Sequence, residues 1–115
     1  MIFKRITIIG LGLIGGSLGL AVKKKRLAKK VVGVSRRRST IRRALSLKVV
    51  DEATLDLKKG VKGSDLIIIA APVLKIIDLA ERIAECLDKG AIVIDAGSTK
   101  KQIVENIEKY FSSWG

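Results

Sequence analysis

The apolar positions of this chain change period several times, and each change marks an element. Residues 4 to 9 include Ile6, Ile8 and Ile9 in an apolar run that predicts a strand. From 13 to about 25 the spacing turns helical, with Leu13, Ile14, Ser17, Leu18, Ala21 and Val22 sharing one face. Residues 30 to 35 predict a second strand, and Ser39-Thr40 offers an N-cap for a helix running to about Leu47. A short strand is expected near Val49-Val50, stopping at Asp51-Glu52. Residues 65 to 71 are nearly all apolar, the pattern of a strand buried on both faces. Pro72 can start the next helix, because the N–H it lacks would have no partner there. Val73, Ile76, Ile77, Ala80, Ile83, Ala84 and Leu87 then repeat at helical spacing, with Gly90 as a left-handed stop. Residues 91 to 95 predict a last strand. Residues 99 to 111 predict a last helix with Ile103, Val104, Ile107 and Phe111 inward.

Strands alternating with helices over short joins predict an α/β chain whose parallel sheet is covered on both faces. Right-handed crossovers give a doubly wound, Rossmann-type sheet of order 3-2-1-4-5. A length of 115 residues suits one domain, residues 1–115, and excludes two. A ligand is expected at the carboxyl edge of the sheet, where Gly10, Ser35, Ala71 and Gly97 converge.

That edge opens with Gly10-Leu11-Gly12-Leu13-Ile14-Gly15, between the first strand and the first helix. Gly10 permits the tight turn, Gly12 lets backbone approach a pyrophosphate, and Gly15 lets helix pack against strand. The pyrophosphate is expected on the helix N-terminus, where free N–H groups and the positive dipole end attract anions. The end of the second strand then selects the dinucleotide. A carboxylate there would accept hydrogen bonds from the ribose and repel a 2′-phosphate, but this chain has Ser35 followed by Arg36-Arg37-Arg38. NADP is therefore expected over NAD, with Arg36 as the leading contact, Ser35 hydrogen-bonding the phosphate, and Arg37 or Arg38 adding field.

The net charge of +12 is local, since residues 23 to 43 hold eleven of the 23 basic residues and no acidic one. Lysines and arginines at the end of the first helix oppose its dipole favourably and need no ligand to explain them. Aromatic residues make up 3% of the chain, too few for base stacking, so nucleic acid is disfavoured as a partner. No apolar run approaches the ~18 residues of a membrane span, and Met1 to Arg5 lead straight into a strand. A cytoplasmic setting is expected, in keeping with the single cysteine, Cys86. Nothing in the pattern suggests a metal site. There is no histidine, so an imidazole base is excluded within these residues.

Four stretches together resemble the prephenate/arogenate dehydrogenase family of tyrosine biosynthesis. They are Ile8 to Ser17 with its double glycine and serine, Val32-Gly33-Val34-Ser35-Arg36, Val50-Asp51-Glu52-Ala53, and Asp95-Ala96-Gly97-Ser98-Thr99-Lys100. The end of the second strand is similar to that of the NADP-using arogenate dehydrogenases. The resemblance implies oxidative decarboxylation: a hydride passes from the hydroxyl-bearing ring carbon to the nicotinamide, carbon dioxide leaves, and the ring becomes aromatic. It implies that Ser98 lies beside nicotinamide and substrate hydroxyl as a positioning group, and that Ala71-Pro72-Val73 lies against the cofactor ribose. Ser98 or Thr99 could equally cap the last helix, with Asp95 ordering the loop and Lys100 facing either a substrate carboxylate or water.

Relatives in that family carry a G-x-H-P block whose histidine takes the hydroxyl proton, followed by a helical second domain that completes the prephenate or arogenate pocket and forms the dimer. The 115 residues contain neither, so the chain alone is expected to bind NADP with little turnover. Loss of a general base typically costs ~10²- to 10⁴-fold in rate. A homodimer is expected through the edge of the last strand where nothing covers it, with Phe111 and Trp114 at the junction with the missing domain. Two alternatives stand beside this reading: the NADP-binding domain of a β-hydroxyacid-type dehydrogenase, and a non-enzymatic NADP-binding or basic interaction protein.

Overall fold

A computed structural model of the chain describes residues 2–96. The expected last helix, and with it Gly97, Ser98, Thr99, Lys100 and Trp114, lies outside the described residues. The elements run β1 (Phe3–Ile9), α1 (Leu13–Lys24), β2 (Ala28–Val34), α2 (Arg38–Ser46), β3 (Glu52–Thr54), α3 (Leu57–Val61), β4 (Leu66–Ile69), α4 (Val73–Ile83) and β5 (Ile92–Asp95), with a 3₁₀ turn at Ala84–Cys86. All pairings are parallel, in the order β3-β2-β1-β4-β5 that right-handed crossovers require. Thr54, Val34, Ile9, Ile69 and Asp95 stand in one line of register across the carboxyl edge.

Alternation along the strands feeds two cores, one on each face. Ile6, Ile8, Leu66 and Ile68 meet Leu18 and Val22 of α1 and Ala44 of α2. Ile9, Val34, Ile67 and Ile69 meet Val61 of α3 and Ile83 of α4. α1 and α2 therefore cover one face, α3 and α4 the other. Burying all four residues of β4 on both faces explains its unbroken apolar run.

Several local expectations give way to packing. Val49 and Val50 are not the third strand; they are buried in the core ahead of it, and β3 is the polar Glu52–Thr54 on the sheet edge. α2 starts at Arg38 with Arg37 as its cap residue, so Ser39 and Thr40 lie inside the helix. Ile14 and Ile77 turn outward, 56% and 71% exposed, although both match the inward period. α4 ends at Ile83, and Gly90, left-handed at φ 87°, turns the chain into β5 instead of stopping a helix.

α3 is unforeseen. Its five residues are capped by Asp56, whose carboxylate accepts the Lys58 and Lys59 N–H groups. The far end is tied to β1: the buried Thr7 hydroxyl donates to the Gly60 carbonyl at 2.7 Å and contacts the buried Ser64 hydroxyl, while Arg5 donates to the same carbonyl at 2.9 Å.

Candidate functional site

The glycine loop is held from both neighbouring strands. Gly10 N–H donates to Val34 O, and Ala70 N–H to Ile9 O, each at 2.8 Å. Gly10 is left-handed at φ 96°, and a Cβ there would lie 2.4 Å from the Ala70 carbonyl oxygen. A Cβ on Gly15 would fall 1.7 Å from the Gly10 carbonyl oxygen, so α1 can approach the strand only without one. Gly12 differs: a Cβ there meets nothing within 4 Å. Open space at Gly12, directly at the start of α1, leaves room for a ligand's phosphate against backbone.

Above the edge lies a cavity of about 670 Å³. Gly10, Leu11 and Gly12 form its floor, Ser35, Arg36, Arg37 and Thr40 one side, Ala71 and Pro72 another. α4 contributes Lys75, Asp78, Leu79 and Arg82, and the α3 region Leu55, Asp56 and Lys58. Of the residues singled out from sequence, Arg38 does not join them; it lines a separate shallow depression with Ile41 and Arg42. Gly15 is packed beneath the loop, and Leu13, Ile14 and Val73 take their places in the first turns of α1 and α4.

Among the described residues the N-termini of α1, α2, α3 and α4 all lie at this edge; that of α3 is closed by its Asp56 cap, and those of α1, α2 and α4 are not. Their cap residues Gly12, Arg37 and Pro72 make no side-chain capping hydrogen bond, and none of the three first turns contains an acidic residue. Each positive dipole end is thus left for an anion. Arg36 and Arg37 are exposed, and no carboxylate among the described residues pairs with either. Ser35 shapes the loop that carries them, its Oγ accepting Arg37 N–H at 3.3 Å. Asp56 also lines the cavity, and one of its oxygens is committed to capping α3. The arrangement fits a nucleotide bearing several phosphates.

Thr40, Lys58, Lys75, Asp78, Leu79 and Arg82 were not legible as cavity residues. Thr40 reads as a helix cap, Lys58 lies in the unforeseen α3, and the others read as parts of a helix whose face sequence cannot aim. Among the described residues there is no cluster of metal-ligating side chains and no helix long and apolar enough to cross a membrane.

A family model described as the nucleotide-binding domain of prephenate dehydrogenase matches residues 18–114. The chain belongs to the prephenate dehydrogenase family. It is 36% identical over 110 residues to prephenate dehydrogenase of Lactococcus lactis subsp. cremoris strain MG1363, spanning 95% of this chain but 30% of that protein. The crystal structure of Synechocystis arogenate dehydrogenase matches with a TM-score of 0.74 at 34% identity, covering 94% of this chain and 38% of that one. Prephenate dehydrogenase from A. aeolicus, in complex with hydroxyphenyl propionate and NAD+, matches with a TM-score of 0.75 and the same coverage. At 24% identity, that likeness is one of fold. Within the prephenate dehydrogenase family, these residues thus correspond to the nucleotide-binding part of longer proteins, and the cavity lies at the carboxyl edge, where folds of this type take their ligands.

Proposed function

We propose that the chain is the NADP-binding portion of a cytoplasmic prephenate or arogenate dehydrogenase acting in tyrosine biosynthesis. The observation that carries the cofactor choice is the wall at the end of β2. Ser35, Arg36 and Arg37 stand on the cavity where a carboxylate would repel a 2′-phosphate. Guanidinium groups match phosphate geometry and stay charged at every physiological pH.

In this reading Gly10, Gly12 and the first turn of α1, opened by Leu13 and Ile14, hold the pyrophosphate. Ser35, Arg36 and Arg37 hold the 2′-phosphate, and Ala71, Pro72 and Val73 border the ribose. Bound NADP supplies a hydride acceptor for a substrate that loses carbon dioxide and becomes aromatic. The chain's own work is to orient that acceptor, and Ser98 is assigned to positioning it against the substrate by family resemblance. With no histidine, these residues lack an imidazole to receive the hydroxyl proton, so little turnover is expected from them alone. A helical partner domain or a second copy belongs to the same proposal.

Calorimetric titration of the purified chain with NADP and with NAD at one fixed salt concentration tests the reading. NADP is expected to bind at least about tenfold more tightly, as one charge-assisted phosphate contact would give. Equal affinities, or a preference for NAD, would remove it.

A further inference from the structure

The wall facing Arg36 across the cavity also carries a cation that family pattern and strand chemistry leave unused. β2 and β4 flank β1, so their carboxyl ends are separated by about two inter-strand spacings, roughly 10 Å. From the β2 side come Ser35, Arg36 and Arg37; from α4, which follows β4, comes Lys75. Lys75 is the third residue of α4, in a first turn without any acidic residue, where a positive charge opposes the helix dipole. Asp78, three residues on, faces Arg82 at 4.0 Å. No carboxylate among the described residues lies within ion-pair distance of Lys75. An exposed cation set against its own helix dipole, on a cavity already lined by Arg36, Arg37 and Arg82, gains a partner when an anion enters.

Resting on the NADP reading above, we infer that Lys75 is a second specificity determinant, contacting the 2′-phosphate from the wall opposite Arg36. The pyrophosphate already has the open backbone at Gly12 and the N-terminus of α1. A phosphate monoester carries about 1.5 to 2 negative charges at neutral pH, more than one guanidinium neutralises. Ser35 has one lone pair occupied by Arg37 N–H and contributes no charge. Lysine suits the remaining task, because its four-carbon stem is flexible and its ammonium offers three donors without a fixed approach angle. The phosphate is then held between a guanidinium on the β2 side and an ammonium on the β4 side, a clamp assembled from two distant parts of the sequence.

The test uses the whole chain and two probes that lack nicotinamide, adenosine 2′,5′-bisphosphate and 5′-AMP, titrated calorimetrically against wild type, Lys75→Gln and Lys75→Arg. Lys75→Gln is expected to weaken the bisphosphate about five- to tenfold while AMP changes by less than about twofold, and Lys75→Arg to keep most of the affinity. A melting temperature no lower than wild type for Lys75→Gln accompanies this outcome, since the side chain is exposed and its charge opposes the α4 dipole. An equal loss for both probes places Lys75 at the 5′-phosphate, and no loss for either places it in solvent; each result overturns the inference while leaving the NADP reading intact. A wild-type chain that binds AMP as tightly as the bisphosphate overturns the NADP reading, and this inference with it.

Discussion

The side chain of Leu11 lies on the bare Cα of Gly33, so that a Cβ added there would come within 2.5 Å of Leu11 Cδ1 and 2.8 Å of Cδ2. This contact joins the glycine loop to β2 two residues before Ser35. Leu11 is 6% exposed and has little space to turn into. Gly33→Ala is expected to destabilise the chain by about 1–3 kcal/mol through overpacking and to weaken dinucleotide binding by displacing the loop. Adding Leu11→Ala makes room, so the double variant should lose less than the two single losses together. Urea unfolding of the four chains checks this. Strictly additive costs would show that the two positions do not meet.

The glycines of the loop separate folding from binding. Gly12→Ala places a methyl group in open space at φ −68°, a conformation alanine accepts, so stability should change by less than about 0.5 kcal/mol. That methyl occupies the approach of the pyrophosphate, and affinity for NADP should fall by about tenfold or more. Gly15→Ala instead drives a Cβ into the Gly10 carbonyl, a backbone atom that cannot step aside, and should lower the melting temperature as well. Thermal melts read beside cofactor titrations distinguish the two. Gly12→Ala binding NADP as wild type does would move the pyrophosphate elsewhere.

In the proposed function, Arg36 is the residue expected to set the choice between cofactors. Replacing it with glutamate restores the carboxylate that repels a 2′-phosphate and offers acceptors to a free ribose. Arg36→Glu is expected to reduce the ratio of NADP to NAD affinity by about 10- to 100-fold, with NAD held or improved. Titration of both cofactors against both chains measures that ratio directly, and an unchanged ratio would exclude Arg36 from the phosphate site.

How far these features could be read from the chain depended on what carried them. β1, α1 and β4 were visible because their burial is one-sided or total and leaves a clean period, as in Leu18 and Val22 or the run Leu66 to Ile69. β3 was displaced because Val49 and Val50 fill the core from a connecting segment, whereas the edge strand itself is polar. α3 is shorter than two turns and leaves no period; its signal was Asp56 alone, a cap residue ahead of Leu57. The glycine loop and the Ser35 wall were legible because backbone geometry and phosphate charge restrict residue type. Lys75 and Thr40 were not, because reaching a cavity from a helix depends on how that helix is rotated against the sheet.

Asp51 gives the chain a pH-dependent seam. Burial pushes its carboxyl pKa up, but hydrogen bonds from Lys23 and from the Val31 N–H, with the charges of Lys23 and Lys30, outweigh this and hold it below the ordinary aspartate range. Lys23 Nζ lies 2.9 Å from Oδ1, and Val31 N–H donates to Oδ2 at 2.8 Å. A carboxyl whose pKa is lower folded than unfolded stabilises fully above the unfolded value of about 3.9, and the contribution is lost as pH falls through the lower folded value. The side chain is 38% exposed, so screening limits the gain to about 0.2–1 kcal/mol. Asp51→Asn should therefore be less stable than wild type by that amount from pH 7 to pH 5, with the gap closing below about pH 4. A gap that persists at low pH in urea unfolding would mean that the charge on Asp51 is not its source.

Thr7 is a polar residue at the centre of the sheet, fully buried, and its hydroxyl holds α3 in place. The Gly60 carbonyl that accepts its bond is itself wedged in position, since a Cβ on Gly60 would lie 2.2 Å from Val34 Cγ2. Thr7→Val keeps the shape and removes the hydroxyl, leaving the buried Ser64 hydroxyl without that partner and taking from the Gly60 carbonyl one of its two side-chain donors, the other being Arg5. Such a loss costs about 1–3 kcal/mol for the stranded group. Thr7→Ser should cost less, and Thr7→Val combined with Ser64→Ala should recover part of the stability, because the stranded hydroxyl is then gone. Since α3 and its cap bring Asp56, Leu57 and Lys58 to the cofactor cavity, Thr7→Val should also weaken NADP binding though it touches no ligand. Full stability of Thr7→Val in urea would show that apolar packing alone seats α3, and unchanged NADP affinity in a destabilised variant would show that the α3 wall does not shape the site.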